Sequence, residues 1–137
     1  MSGHKSKNRQ DLKQERMRFA YQVLSGYVKK TREKELAAAL KSLPISLRQN
    51  GLATVAARMA AGENQDLGDK LLGRWLLQEC PVLQGVQPQN GSTSMKTLVG
   101  WCLDMDRGTY QAVQNEAMLL LEQAKLIGAA LWPKEAA

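Results

Sequence analysis

Histidine is almost missing from this chain of 137 residues: there is one, His4, in a polar opening stretch. That takes the commonest general base out of the body of the sequence. Cysteine is scarce too. Cys80 and Cys102 are the only two, with no C-x-x-C spacing, so the four N or S ligands of a zinc site are not at hand. Both thiols read as small buried hydrophobes, and a reducing cytosol argues against a disulfide between them. Aromatic residues make up 5%, and the leucine and alanine that dominate instead favour helices over a sandwich or barrel. No apolar run approaches the length of a membrane-spanning helix. The opening MSGHKSKNRQ has no apolar signal region, so a cytoplasmic location is expected. Catalytic and nucleotide-binding motifs are missing as well: there is no G-x-S-x-G, and Gly68-Asp69-Lys70 lacks the lead and the Ser/Thr of a P-loop. Asp104-Met105-Asp106 reads as helix caps rather than a metal-binding pair. No metal, no cofactor and no enzymatic activity are expected.

What is present is helical pattern and positive charge. Hydrophobic residues reach 44% and charged residues 23%, enough for one compact domain that buries about two-thirds of its unfolded surface. Residues 10–137 are expected to form that domain, all-α with five or six helices, and residues 1–9 a mobile basic tail. The net charge of +6 is uneven. Residues 1–58 carry 13 Lys and Arg against 4 Asp and Glu, a balance of +9; the rest carry 6 against 9, a balance of −3. A basic half on a small helical protein points to a polyanionic partner. No RNP aromatic pair, KH-type GXXG or zinc finger accompanies it. Such a surface suits phosphate contacts that carry no sequence information. The RNA-binding candidates are Lys13, Arg16, Arg18, Lys29, Lys41, Arg48 and Arg58, with Lys30, Arg32, Lys34 and the tail residues Lys5, Lys7 and Arg9 in the same basic surface. Arg16 is the exception among them, because it projects from the apolar side of its helix. Such an arginine snorkels, pairs with an acid or meets a ligand, and the sequence leaves these open.

The periodicity predicts a first helix from Gln10 to Lys30, with Leu12, Phe19, Ala20, Val23 and Leu24 inward. Thr31 caps a short second helix ending near Lys41. Ser42 then caps a central helix running to Gly62, with Pro44 in its first turn. Asn50-Gly51 interrupts that stretch: either two short helices meet there, or one helix carries a glycine where another backbone comes close. The apolar period continues from Leu47 through Leu52 to Met59, which favours the single helix. A fourth helix is expected over Leu67–Cys80, stopped by Pro81, then a surface loop over residues 81–93. A fifth helix covers Ser94–Leu103 and a last one Thr109–Trp132. The last helix is apolar on two sides. Tyr110, Val113, Ala117, Leu120, Leu121, Ala124, Ile127, Gly128 and Leu131 mark one face. Ala112, Leu119 and Leu126 mark a second stripe, the candidate contact for a neighbouring subunit.

Two stretches carry a family resemblance. Leu43-Pro44-x-x-Leu47-x-x-Asn50-Gly51-Leu52, running into a small-residue amphipathic helix, resembles the small subunit of Cmr-type (type III-B) CRISPR effector complexes. Thr109–Trp132 is similar to that family's last helix, with a Tyr, a Glu-Ala pair and a leucine run; the basic amphipathic opening over Arg16–Lys30 agrees. The resemblance implies an all-helical, non-catalytic subunit. It would stack along the guide RNA–target RNA duplex, with the repeated backbone subunit, the large subunit and copies of itself as neighbours. It would hold the crRNA-paired target strand, with sequence read by base pairing. A helical adaptor module with incidental positive charge is the alternative.

Overall fold

The computed structural model describes residues 9–27 and 32–136. The tail before Arg9, the candidate Lys29 and the expected Thr31 cap lie outside the described residues. Every regular element among those described is helical. Helix α1 spans Arg9–Ser25, α2 Glu33–Asn50 and α3 Leu52–Ala60. A wide helix, α4, covers residues 65–79: it opens as an α-turn at Gln65–Leu67 and continues with π-type geometry over Gly68–Gly73 and Trp75–Glu79. Helix α5 spans Met95–Asp104, α6 Arg107–Leu131 and the short α7 Pro133–Ala136.

Helix α6 is the axis of the fold. Its buried residues, Val113, Glu116, Ala117, Leu120, Leu121, Ala124 and Gly128, follow the first apolar face read from the sequence. Helix α1 packs along it with Phe19, Ala20, Val23 and Leu24, and α2 packs along it with Leu36, Leu40, Leu43 and Leu47. Helix α3 lies against α5, and α4 closes the core beneath both. The start of α6 is fixed by Asp106, whose Oδ1 accepts the Thr109 N–H at 2.7 Å. Bonds from the Thr109 and Gly108 amides hold the Asp106 carboxyl below its ordinary pKa. Ser94 caps α5 in the same way, accepting from Thr97 N–H. Both termini match the sequence-based expectation to within about two residues, the usual uncertainty of helix ends.

The central stretch differs from its expectation. Helix α2 runs straight through Ser42, which is no cap: its hydroxyl donates to the Ala39 carbonyl at 3.2 Å. Pro44 lies inside the helix and is buried. A proline there removes the amide that would bond to the carbonyl four residues back, and packing of Leu40, Leu43 and Leu47 overrides that cost. The helix breaks instead at Gly51, so two helices meet where one was expected. Gly51 has φ 85° and ψ 163°, a region that only glycine visits readily. The apolar period carried no sign of the break, because Leu47 and Leu52 both face the core on either side of it. Helix α1 also stops earlier than expected, at Ser25, with Gly26 and Tyr27 turning on bonds to the Val23 and Leu24 carbonyls.

Helix α4 is packed closely by its neighbours. A Cβ at Gly73 would overlap the Thr93 carbonyl oxygen, so the loop backbone rests directly on the helix there. Gly68 sits equally close to Met59 and Met95. The loop after α4 is mostly exposed, with two exceptions. Leu83 enters the core, and the Gln87 side-chain amide donates to the Leu76 carbonyl at 3.0 Å, taking up a carbonyl near the end of α4. Cys80 and Cys102 are both free and buried.

Candidate nucleic-acid interface

The basic candidates divide into one that points in and several that point out. Arg16 points in. It is 8% exposed and Glu116 3%. Its Nε and Nη2 donate to the two carboxylate oxygens of Glu116 at 2.6 and 2.9 Å, the paired fork that suits guanidinium and carboxylate. Trp75 Nε1 donates to the same carboxylate at 2.8 Å. The Phe19 ring lies 5.0 Å from the Trp75 ring, and Arg74 covers Phe19 at 5.2 Å. The Glu116 bond raises the Arg16 pKa despite the opposing effect of burial, so the charge stays in place. Of the alternatives open for Arg16, the ion pair is the one realised. It ties α1, α4 and α6 together.

The second internal joint lies at the Gly51 break. Helix α3 starts without a cap of its own. The Leu52 N–H donates to Gln114 Oε1 at 2.8 Å, and the Ala53 N–H donates to Tyr110 Oη at 3.0 Å. Side chains of α6 thus satisfy amides that a helix start leaves open. A Cβ at Gly51 would press on both of them.

The outward group is led by α2. Lys34, Lys41 and Arg48 follow one another at seven-residue steps, which returns each to nearly the same side of the helix about 10 Å further along. All three are exposed, and the exposed Ile45 lies between the last two. Residues 36–62 contain no Asp or Glu at all. Arg58 is exposed on α3, and Arg58 and Arg48 make no ion pair among the described residues. Sequence reasoning placed Lys34, Lys41 and Arg48 in one basic surface without their common stripe; the seven-residue period was the available signal. It missed Lys125 of α6, which shares a shallow groove with Lys41 over Ala37, Leu40 and Gly128.

Lys13 and Arg18 are exposed on α1, but five residues apart they diverge by about 140° around the helix. They do not form one site. Lys13 instead borders a cleft of about 580 Å³ between α1 and α6, with Leu12, Leu119 and Glu122. The second stripe of α6 is at the surface: Ala112 and Leu126 are exposed, and Leu119 is half-buried at that cleft.

Against this geometry, the profile of the family described as CRISPR-associated protein (Cas_Cmr5) matches residues 12–131. The chain belongs to the Cmr5 family. It is a small subunit of a type III-B Cmr complex, and membership implies association with other Cmr subunits. Comparison with curated proteins and with solved structures finds no match. The Cmr5-like residues of the sequence turn out to work inward: Gly51 makes the break, Tyr110 caps α3 across it, and Glu116 holds Arg16. Among the described residues no helix is long and apolar enough to cross a membrane.

Proposed function

We propose that this subunit is non-catalytic, stacks along the guide RNA–target RNA duplex, and holds target RNA through phosphates. The observation that carries the reading is the exposed stripe of Lys34, Lys41 and Arg48, the last two in a stretch, residues 36–62, free of acidic residues. Three cations in a row on a rigid helix, with little aromatic surface beside them, suit a backbone and not a base sequence. Lys13, Arg18 and Arg58 are further exposed candidates, on α1 and α3. Lys29 is a further candidate by position in the sequence alone. The outer stripe of α6, Ala112, Leu119 and Leu126, serves as the contact with a neighbouring subunit: Leu126 is 57% exposed and Leu119 opens on the cleft between α1 and α6, which sets apolar side chains on the outer side of the helix. The partners in this reading are the repeated backbone subunit, the large subunit, further copies of the chain and the crRNA-paired target.

The test is RNA binding by the purified protein at several salt concentrations, with unrelated RNA sequences. Each phosphate neutralised on a single strand adds about 0.7 to the slope of log affinity against log salt. A stripe of three cations predicts a slope of about 2, with little dependence on sequence. Absence of binding at low salt leaves the adaptor alternative, in which the exposed α6 stripe is the functional surface. Metal-dependent RNA cleavage by the pure protein would contradict the non-catalytic part.

A further inference from the structure

The loop after α4 and the outer side of α5 enclose an open pocket of about 520 Å³, within the range of small-ligand sites. Val86, Pro88 and Asn90 line it from the loop; Gly100, Trp101 and Asp104 line it from the helix. Its groups are specific in chemistry. Trp101 is half-buried, whereas Trp75 and Trp132 are buried. Beside it, a Cβ at Gly100 would meet nothing within 4 Å, so the space next to the ring is open. Asn90 Oδ1 accepts the Ser92 N–H at 3.0 Å, which fixes the amide and leaves its NH2 as the group on offer. Asp104 does not share the capping role of Asp106, and its exposed carboxylate has no hydrogen bond or ion pair among the described residues.

An aromatic face, a donor, a pair of acceptor oxygens and apolar walls are the requirements for one unstacked base. No Lys or Arg lines the pocket, and the Asp104 charge repels phosphate, so recognition falls on the neutral base. Guanine fits the polar groups best. Its adjacent N1–H and N2–H groups match one carboxylate, and O6 accepts from an amide NH2; the other bases offer a carboxylate a single N–H site. We propose that this pocket takes a single unpaired nucleobase of an RNA strand, guanine before the others. The site is separate from the α2 stripe: it reads a base, and its failure would leave the phosphate reading untouched.

The experiment is a titration of the full chain with GMP, AMP, CMP and UMP, followed by tryptophan fluorescence excited where the bases do not absorb. Trp101 is the tryptophan in reach, so saturable quenching reports this site. The expected result is GMP binding on the order of 1 mM and at least about tenfold better than UMP. Gly100→Leu, which fills open space on a helix, should keep the thermal midpoint and lose the quenching; Asp104→Asn should fold normally and lose the guanine preference. No saturable quenching, or the same quenching in Gly100→Leu, overturns the proposal. So does stronger quenching by arginine methyl ester than by GMP, which would make the pocket a seat for a partner protein's cation.

Discussion

Arg16 and Arg48 stand in the same basic half of the sequence, each on a helix, and the fold puts them to opposite uses. Arg16 is enclosed with Glu116 and Trp75 between three helices; Arg48 is exposed on a helix face and makes no ion pair among the described residues. The difference teaches that net charge by sequence segment is a poor map of surface field. Glu116 comes from the acidic half and is consumed by the basic one. Removing that pair lowers the balance of residues 1–58 from +9 to +8 and moves the rest from −3 to −2. The surface that remains positive is narrower than the charge count suggests, and it centres on α2.

The largest effect should come from breaking the inner arginine's pairing. Glu116→Ala leaves a buried guanidinium without its carboxylate, which costs about 3 to 5 kcal/mol. Chemical denaturation should register that loss, whereas a drop under about 1 kcal/mol would mean the pair is dispensable. Replacing both partners by apolar residues, Arg16→Met with Glu116→Leu, should recover most of the stability, because a well-packed apolar pair often matches a buried ion pair. The joint at the other end of α6 comes next. Gly51→Ala puts a side chain into a backbone region that costs about 1 to 3 kcal/mol, and its Cβ presses on Tyr110 and Gln114. A thermal midpoint unchanged in Gly51→Ala would show that the break can be built another way.

Much of this division was legible in the sequence. Helices α5 and α6 declared themselves by apolar period, with Ser94 as the expected start of one and Asp106 as a cap before the other, and most of the buried face of α6 was read except Glu116. At Gly51 the Asn50-Gly51 dipeptide signalled the break, but the period keeps its phase across it and pointed to one helix; the compensating caps come from Tyr110 and Gln114 about sixty residues later. The π-type geometry of α4 was hidden: Gly68 and Gly73 marked close approaches only once the fold had brought Met59, Met95 and the Thr93 backbone against them. For Arg16 half the clue was visible: a charge on an apolar face. Glu116, the matching charge on the buried face of α6, was the other half, and only the fold brings the two together. At the candidate interface the residue types were visible, but which of them share a face was not.

A smaller effect sharpens the contrast between inside and outside by pH. Burial pushes the Cys80 thiol up to about 12 and the Cys102 thiol up to about 11, from ordinary values near 9. Burial, then the bond to Asp66, raises the Tyr27 phenol as well. All three favour the protonated form in the folded state. Their contribution is fully present below about pH 9 and is lost as pH rises through the folded values. Stability should therefore fall progressively above pH 9, and both thiols should resist alkylation at pH 8 until the chain unfolds. Fast labelling of either thiol in the native protein would contradict its burial.

The smallest effect on stability belongs to the outer face. Replacing Lys34, Lys41 and Arg48 by Ala should change stability by no more than about 1 kcal/mol for each charge, and this same variant gives the most direct test of the account. RNA affinity of the full chain is measured against salt for the parent and for the triple variant, with Arg16→Met/Glu116→Leu as the internal control. The triple variant should lose about 2 from the slope of log affinity against log salt, while the internal control keeps the parent's slope. An unchanged slope in the triple variant, or a slope lost in the control alone, would contradict the claim that the outer face of α2 holds the RNA.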